Sequence, residues 1–291
     1  MTLVEGVLNV DKPAGMTSHD VVNRVRRVAG TRRVGHAGTL DPLATGVLLV
    51  CVGRATRLVE YLVGQPKVYE ATVRLGQTTD TYDADGEIID ERPLTVTLQD
   101  LENALAQFRG DIEQIPPMYS AIKQGGQPLY KLARQGKEVE RKTRHVTIYE
   151  LTQLYWDPPD LTIRVMCSSG TYIRSLAYDL GEVLGCGGHI TMLRRTAIGD
   201  FAANTAVSLA DLAPENVAAH LLPLDTAVSH LPRLDLTTEE ALDLLNGKQI
   251  PCQTTDDENR LVRLYNADAR FIGLAEAVEA HWQAKKMFHP Q

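Results

Sequence analysis

The chain has 291 residues, 44% of them hydrophobic and 23% charged, with a formal net charge of −7. This supplies apolar material for one large core and a small second one, and it excludes a disordered or fibrous chain. No apolar run approaches the roughly 18 residues of a membrane-spanning helix, and the start of the chain lacks the basic region and apolar core of a signal sequence.

Residues 7–10 alternate as a strand and stop at Lys12-Pro13. Ser18 reads as an N-cap, and Val21, Val25, Val28 and Ala29 recur at helical spacing until Gly30 closes the helix. Arg24 and Arg27 fall off that valine stripe and face solvent or a ligand. Residues 35–46, GHAGTLDPLATG, then place one carboxylate, Asp41, in a polar loop holding three glycines. Pro42 pushes Asp41 toward extended backbone, and the glycines permit tight turning or close approach of a ligand. The apolar run 47–52 follows at once and reads as a buried strand. A carboxylate held rigidly ahead of a core strand suits a nucleophile or general base. Taken alone, an Asp-Pro turn that bonds its own backbone explains it as well.

Residues 54–63 read as a short helix with Leu58, Tyr61 and Leu62 inward, and 69–75 as a strand. The segment Asp83-Ala84-Asp85-Gly86 invites a calcium loop. With Gly86 as the sixth position the twelfth is Arg92, where a bidentate Glu is required, so calcium fails. Thr97-x-x-Asp100 opens a helix over 98–107 that ends at Gly110. Residues 124–142 are rich in Gly, Gln and charge, which predicts a mobile excursion from the core with a short helix near 129–134. Strands over 145–155 and 161–168 flank a turn at Asp157-Pro158-Pro159, and a helix over 172–184 turns Ile173, Leu176, Ala177 and Leu180 inward. Arg174 lies off that stripe in the first turn, where a cation opposes the helix dipole. Local rules are broken where function demands it, although an exposed Arg would explain it too. A strand over 188–198 and a short helical connector over 205–230 lead to a compact unit. There Thr237 caps a helix ending at Gly247, and strands follow near 260–266 and 270–277.

Net acidity argues against a nucleic-acid partner, but the charge is unevenly spread. Residues 1–204 carry 23 Lys and Arg against 24 Asp and Glu, net −1, whereas 205–291 carry 7 against 13, net −6. Arg24, Arg26, Arg27, Arg32 and Arg33 come with no acid between them. Lys123, Lys131, Arg134, Lys137, Arg141, Lys142 and Arg144 come with only Glu138 and Glu140. Screening confines each charge to about 10 Å, so two local basic patches can grip phosphates in an acidic chain. The four cysteines, Cys51, Cys167, Cys186 and Cys252, form no Cys-x-x-Cys pair, so no metal site is expected. Cys186 and His189 are too few ligands by themselves. Cys51 and Cys167 sit in apolar runs and read as buried thiols of a cytoplasmic protein.

The motifs GHAGTLDPLATG, Asn9 to Gly15, Lys67 to Ala71, Thr79 to Gly86, Gln114 to Lys123, Ser169 to Leu176 and Leu193-Arg194-Arg195-Thr196 occur in one order over most of residues 5–200. Together they resemble the TruB family, the bacterial tRNA pseudouridine-55 synthases. The resemblance implies an α+β fold: a pseudouridine synthase catalytic domain over 1–230 with a mixed, mainly antiparallel sheet flanked by helices. A small PUA-like β-rich domain over 231–291 would follow. It implies a cofactor-free isomerase that flips uridine 55 out of the T arm of tRNA. Asp41 would be the nucleophile or base, Arg174 its ion-pair partner and Tyr69 the stacking platform. Tyr172 and Leu193 would line the uracil pocket, His36 would touch the flipped-out region, Asp83 would join the network around Arg174, and Lys12 would support the loop. The 124–142 excursion resembles the family's insertion that closes over the T arm, and a monomer without obligate protein partners is expected.

Two rival readings stand beside it. An RNA-binding or RNA-folding protein would use the same basic patches, but it has no use for a desolvated carboxylate–guanidinium pair at Asp41 and Arg174. A phosphatase-like hydrolase would need a metal-ligating acidic cluster around Asp41, and the sequence has none there.

Overall fold

The structure, a computed structural model, describes residues 4–120, 122–133, 135–137, 139–252 and 260–288. Arg134 and Glu138, counted above in the second basic stretch, lie outside the described residues.

The apolar run after Asp41 is the strand Thr45–Val52, and it is apolar throughout because both of its faces are covered. Leu48, Val50 and Val52 point into one apolar cluster, shared with the valines of the helix Ser18–Val28. Val47, Leu49 and Cys51 point into another, behind the sheet. Across the sheet the strands run in the order Val207–Ser208, Gly6–Lys12, Thr45–Val52, Gly188–Ile198, Lys67–Leu75, Asp160–Cys167, Arg144–Asp157 and Gly110–Gln114. Only the first pair and the pairing of Thr45–Val52 with Gly188–Ile198 are parallel along this path. The sheet is therefore mixed and mainly antiparallel. Helices Leu98–Ala106 and Ile173–Val183 add Leu101, Leu105, Leu176 and Leu180 to the cluster that holds the Ser18–Val28 valines.

A second, five-stranded sheet is built from Arg233–Asp235, Leu261–Tyr265, Phe271–Val278, His281–Met287 and Ile250–Pro251. With the helix Thr238–Leu245 it encloses a core around Leu244, Leu264 and Trp282. Leu274 and Phe288 leave that core and enter the cluster behind the Asp41 strand. Arg57 fixes the junction, donating to the Met287 carbonyl at 2.7 Å with its guanidinium 4.8 Å from the Phe288 ring centroid.

Several expectations need correction. The N-cap of the first helix is Thr17, which closes a capping box with Asp20. Ser18 is the first helical residue, and its buried hydroxyl has another task described below. Residues 54–63 divide into a 3-10 turn, Gly53–Leu58, and a single α-turn, Val59–Val63. The residues after Gly110 form an edge strand, Gly110–Gln114, whose mostly exposed and charged side chains hide its period. The 205–230 connector is a set of 3-10 turns with one short strand pairing beside Gly6–Lys12. A last strand, His281–Met287, went unread because its lysines and glutamine mask the alternation. The short helix expected in the 124–142 excursion is present as Leu129–Ala133, anchored by buried Leu129, and an unforeseen hairpin, Lys123–Gln124 with Gln127–Pro128, leads into it.

Gly46 is one position where glycine is required. It has φ +98°, and a Cβ there would overlap the Arg195 carbonyl of the neighbouring strand. We expect Gly46→Ala to cost at least about 2 kcal/mol. The check is thermal unfolding, with the midpoint falling by roughly 5 °C or more. An unchanged midpoint would mean that the strand can separate from its neighbour without loss.

Candidate active site

The loop that precedes the central strand brings Asp41 against the first turn of the helix Ile173–Val183. Arg174, which as an exposed residue would have been unremarkable, is buried to 4% exposure. Its Nη2 donates to Asp41 Oδ1 at 3.1 Å, and its Nε lies 2.9 Å from Oδ2 as an ion-pair contact. Its other donors are engaged as well: Nη1 bonds the Thr81 carbonyl at 3.0 Å and lies 3.3 Å from Asp83 Oδ2, and Nη2 bonds the Tyr119 carbonyl at 2.7 Å. One guanidinium thus joins three segments that are distant in sequence. Asp83 is itself held, since Thr81 Oγ1 donates to its Oδ1 at 2.6 Å. The Asp41 side chain keeps about a third of its surface exposed (34%), so the carboxylate is fixed from below and open above. Burial pushes its pKa up, the Arg174 charge opposes that shift, and Asp83 adds to it.

Three further contacts set the loop. Lys12, fully buried, donates to the Pro42 carbonyl at 3.2 Å and to the Pro13 carbonyl at 2.8 Å, while Gly15 N–H bonds the same Pro42 oxygen at 2.9 Å. Burial lowers the Lys12 pKa to about 8. Ser18 Oγ accepts from Leu40 N at 2.8 Å and lies 3.1 Å from the Leu40 carbonyl, clamping the residue just before Asp41. Arg195, 1% exposed, donates to the carbonyls of Val47 at 2.8 Å, Gly38 at 3.1 Å and Thr39 at 3.4 Å. Among the described residues no carboxylate pairs with it. Its partners are backbone oxygens about 150 residues away, and the strand around it already carries His189, Thr191, Arg194 and Thr196, so nothing in the local sequence marks it.

Tyr69 lies on the strand Lys67–Leu75 at 8% exposure, its ring centroid 6.0 Å from the Arg195 guanidinium. Register places Tyr69 opposite Arg195 and Ala71 opposite Leu193, so Tyr69 and Leu193 share one stretch of two adjacent strands. Tyr172 is the N-cap of the Arg174 helix, and buried Gln114 holds both its N–H (2.7 Å) and its carbonyl (2.9 Å). His36 stands on the short strand Val34–His36 opposite Val50. Burial and the Arg195 charge lower its pKa, which favours the neutral imidazole, and no direct bond ties it to Asp41. The structure thus gathers Asp41, Arg174 and Asp83 into one bonded network, ties the Asp41 loop to Lys12 through the Pro42 carbonyl, and sets Tyr69 and Leu193 on adjacent strands.

Cys186 and His189 do not converge on a metal site: the thiol donates to the Gly187 carbonyl and His189 Nδ1 lies 3.1 Å from the Gln77 carbonyl. Among the described residues no three His, Cys, Asp or Glu side chains cluster, and no helix is long and apolar enough to cross a membrane.

Among solved structures, that of a Cbf5-Nop10-Gar1 complex matches 99% of this chain and 86% of the other, with 28% identity and a TM-score of 0.77. The archaeal box H/ACA sRNP Nop10-Cbf5 complex matches at 26% identity and a TM-score of 0.73. The fold is that of the pseudouridine synthases. Residues 26–173 match the model of the TruB family pseudouridylate synthase N-terminal domain. Residues 174–229 match the tRNA pseudouridylate synthase B C-terminal domain, and 232–284 the C-terminal model of pseudouridine synthase II TruB. The tRNA pseudouridine synthase B of Actinobacillus pleuropneumoniae is 45% identical over 94% of this chain and 92% of its own length. That of Pseudomonas aeruginosa is 46% identical over 95% and 93%. The chain belongs to the TruB family.

Proposed function

We propose that this tRNA pseudouridine synthase acts on uridine 55 of the T arm, with Asp41 as its reacting carboxylate. The isomerase class follows from the family. The choice of uridine 55 rests on the likeness of the GHAGTLDPLATG loop and its companion motifs. The observation that carries the chemistry is the Asp41–Arg174 pair, a carboxylate open on one side and held on the other by a buried guanidinium that is itself anchored to the Thr81 and Tyr119 carbonyls.

In the reaction the bond between N1 and C1′ breaks and one between C5 and C1′ forms. C5 loses its proton to solvent, and N1 gains one. No electrons are exchanged with an outside partner, so the enzyme needs no cofactor for balance. A stacked uridine must swing out of the base stack before a carboxylate can reach its sugar. Tyr69 offers the flipped base a π-face, Tyr172 and Leu193 close the uracil pocket, and His36 meets the RNA beside it. Arg174 keeps Asp41 ionised and aimed, Asp83 steadies Arg174, and Lys12 steadies Pro42. The arginines of 24–33 and the 124–142 insertion grip phosphates, which needs only local positive charge. Residues 1–230 form the catalytic domain, and 231–291 a PUA-like unit whose acidity makes it an accessory to RNA binding. The protein works in the cytoplasm as a monomer without a protein partner.

The test is tritium release from a tRNA transcript labelled at uridine C5. One equivalent per tRNA is expected from position 55, and none once that uridine is replaced by cytidine. Release that ignores the replacement would overturn the site, and tight binding without release would favour the RNA-folding reading. Tyr69→Leu should slow single-turnover release by about tenfold or more while affinity changes little, since stacking acts on the flipped base. A loss confined to affinity would remove Tyr69 from the pocket.

A further inference from the structure

Tyr82 is the residue between the two that hold Arg174. Thr81 supplies a carbonyl to Arg174 Nη1, and Asp83 supplies a carboxylate to the same nitrogen. Tyr82 itself has φ +62°, in the left-handed region that a bulky residue seldom enters. That conformation turns the carbonyl on one side and the carboxylate on the other toward a single guanidinium. Its own backbone is tied down, with N–H to the Thr79 carbonyl at 3.2 Å and carbonyl to Ile190 N at 3.0 Å. Its ring lies on Tyr178, with centroids 4.2 Å apart and an interplanar angle of 19°. Tyr178 stands four residues after Arg174 on the helix Ile173–Val183, one turn further along the same helix.

We propose that the Tyr82–Tyr178 stack is a strut that fixes the 79–86 loop to the Arg174 helix and so sets the angle at which the guanidinium meets Asp41. Both tyrosines are positioning residues, since neither touches Asp41. Among the hydrogen bonds, ion pairs and ring contacts of the described residues, the stack is the one that joins this turn to the helix besides those of Arg174, and without it the left-handed turn relies on its backbone ties and on Asp83. The inference rests on the reading of Asp41 as the reacting carboxylate.

The groups that face Asp41 are Arg174 from the helix, Asp83 from the loop and Lys12 from the first strand, with the hydroxyls of Tyr69 and Tyr172 also within its field. If the strut loosens, Arg174 opposes the raised pKa of Asp41 less well, and the acid limb of the rate profile moves to higher pH. The experiment measures single-turnover tritium release against pH for wild type, Tyr82→Ala, Tyr178→Ala, the double variant and the two Phe variants, with tRNA binding and thermal midpoints in parallel. The Ala variants should lose about tenfold or more in rate with binding within twofold, and the double should be no worse than the poorer single, because both break one contact. The Phe variants should restore the rate to within about threefold, since stacking needs the ring and not the hydroxyl. Where an Ala variant fails to fold, Leu at the same position keeps the buried area without the π-face and carries the comparison. Folded Ala or Leu variants with the wild-type rate and acid limb would overturn the strut, and so would Phe variants as slow as Ala. A wild type that releases no tritium would instead overturn the reading of the site, and the strut with it.

Discussion

Asp41→Asn should abolish isomerisation, with a loss of at least roughly a thousandfold in single-turnover tritium release, while tRNA affinity stays within a few-fold. The amide has the same shape, and its oxygen still accepts from Arg174 Nη2, so the loop keeps its form. It is neither a base nor a nucleophile of useful strength. Stability supplies a second readout. Burial raises the folded pKa of Asp41 above its ordinary value of 3.8. A raised carboxylate pKa gives stability that is present below the unfolded pKa and shrinks as pH climbs to the folded one. The ionised wild type therefore bears a cost at neutral pH that Asn lacks, and the variant should melt no lower than wild type at pH 7. That would be a site in which activity is kept at the expense of stability. Turnover near the wild-type rate in Asp41→Asn would remove Asp41 from the chemistry. A clearly lower midpoint would mean the charge holds the loop together.

Arg174→Lys should be almost as damaging, on the order of 10²- to 10³-fold in rate. Lysine keeps the charge but offers one nitrogen where Arg174 reaches Asp41, Asp83, the Thr81 carbonyl and the Tyr119 carbonyl. Whichever of these the ammonium chooses, the others lose a partner in a buried place, which is the expensive outcome. The opposition to the raised Asp41 pKa weakens, so the acid limb of the pH–rate profile should shift upward, and the thermal midpoint should fall. Near-normal turnover with an unmoved limb would show that Asp41 does not depend on the guanidinium.

Much of the fold was legible because burial leaves a period. The valine stripe of the first helix, the capping box at Thr97 and the two-sided run after Asp41 each state their surroundings. Segments whose side chains meet water left no period, which is why Gly110–Gln114 and His281–Met287 went unread. Within the site, Arg174 announced itself as a cation in a first helical turn. Asp41 stood out through its glycine-rich setting, although its meaning came from the family likeness. Arg195 and Ser18 did not announce themselves, because their partners are backbone atoms brought close only by the folded sheet. Nor could spacing show that Tyr82 is left-handed, since nothing in Thr81-Tyr82-Asp83 calls for that conformation.

Leu274 and Phe288 plug the back of the strand whose front end carries Asp41. The second sheet is therefore a wedge in the masonry behind the Asp41 strand, not merely a neighbour of it. A lineage that discarded it would have to refill the hole under Val47 and Leu49 before it could keep the loop still. A chimaera that borrows a foreign tail will work only if the graft brings an apolar plug of similar bulk.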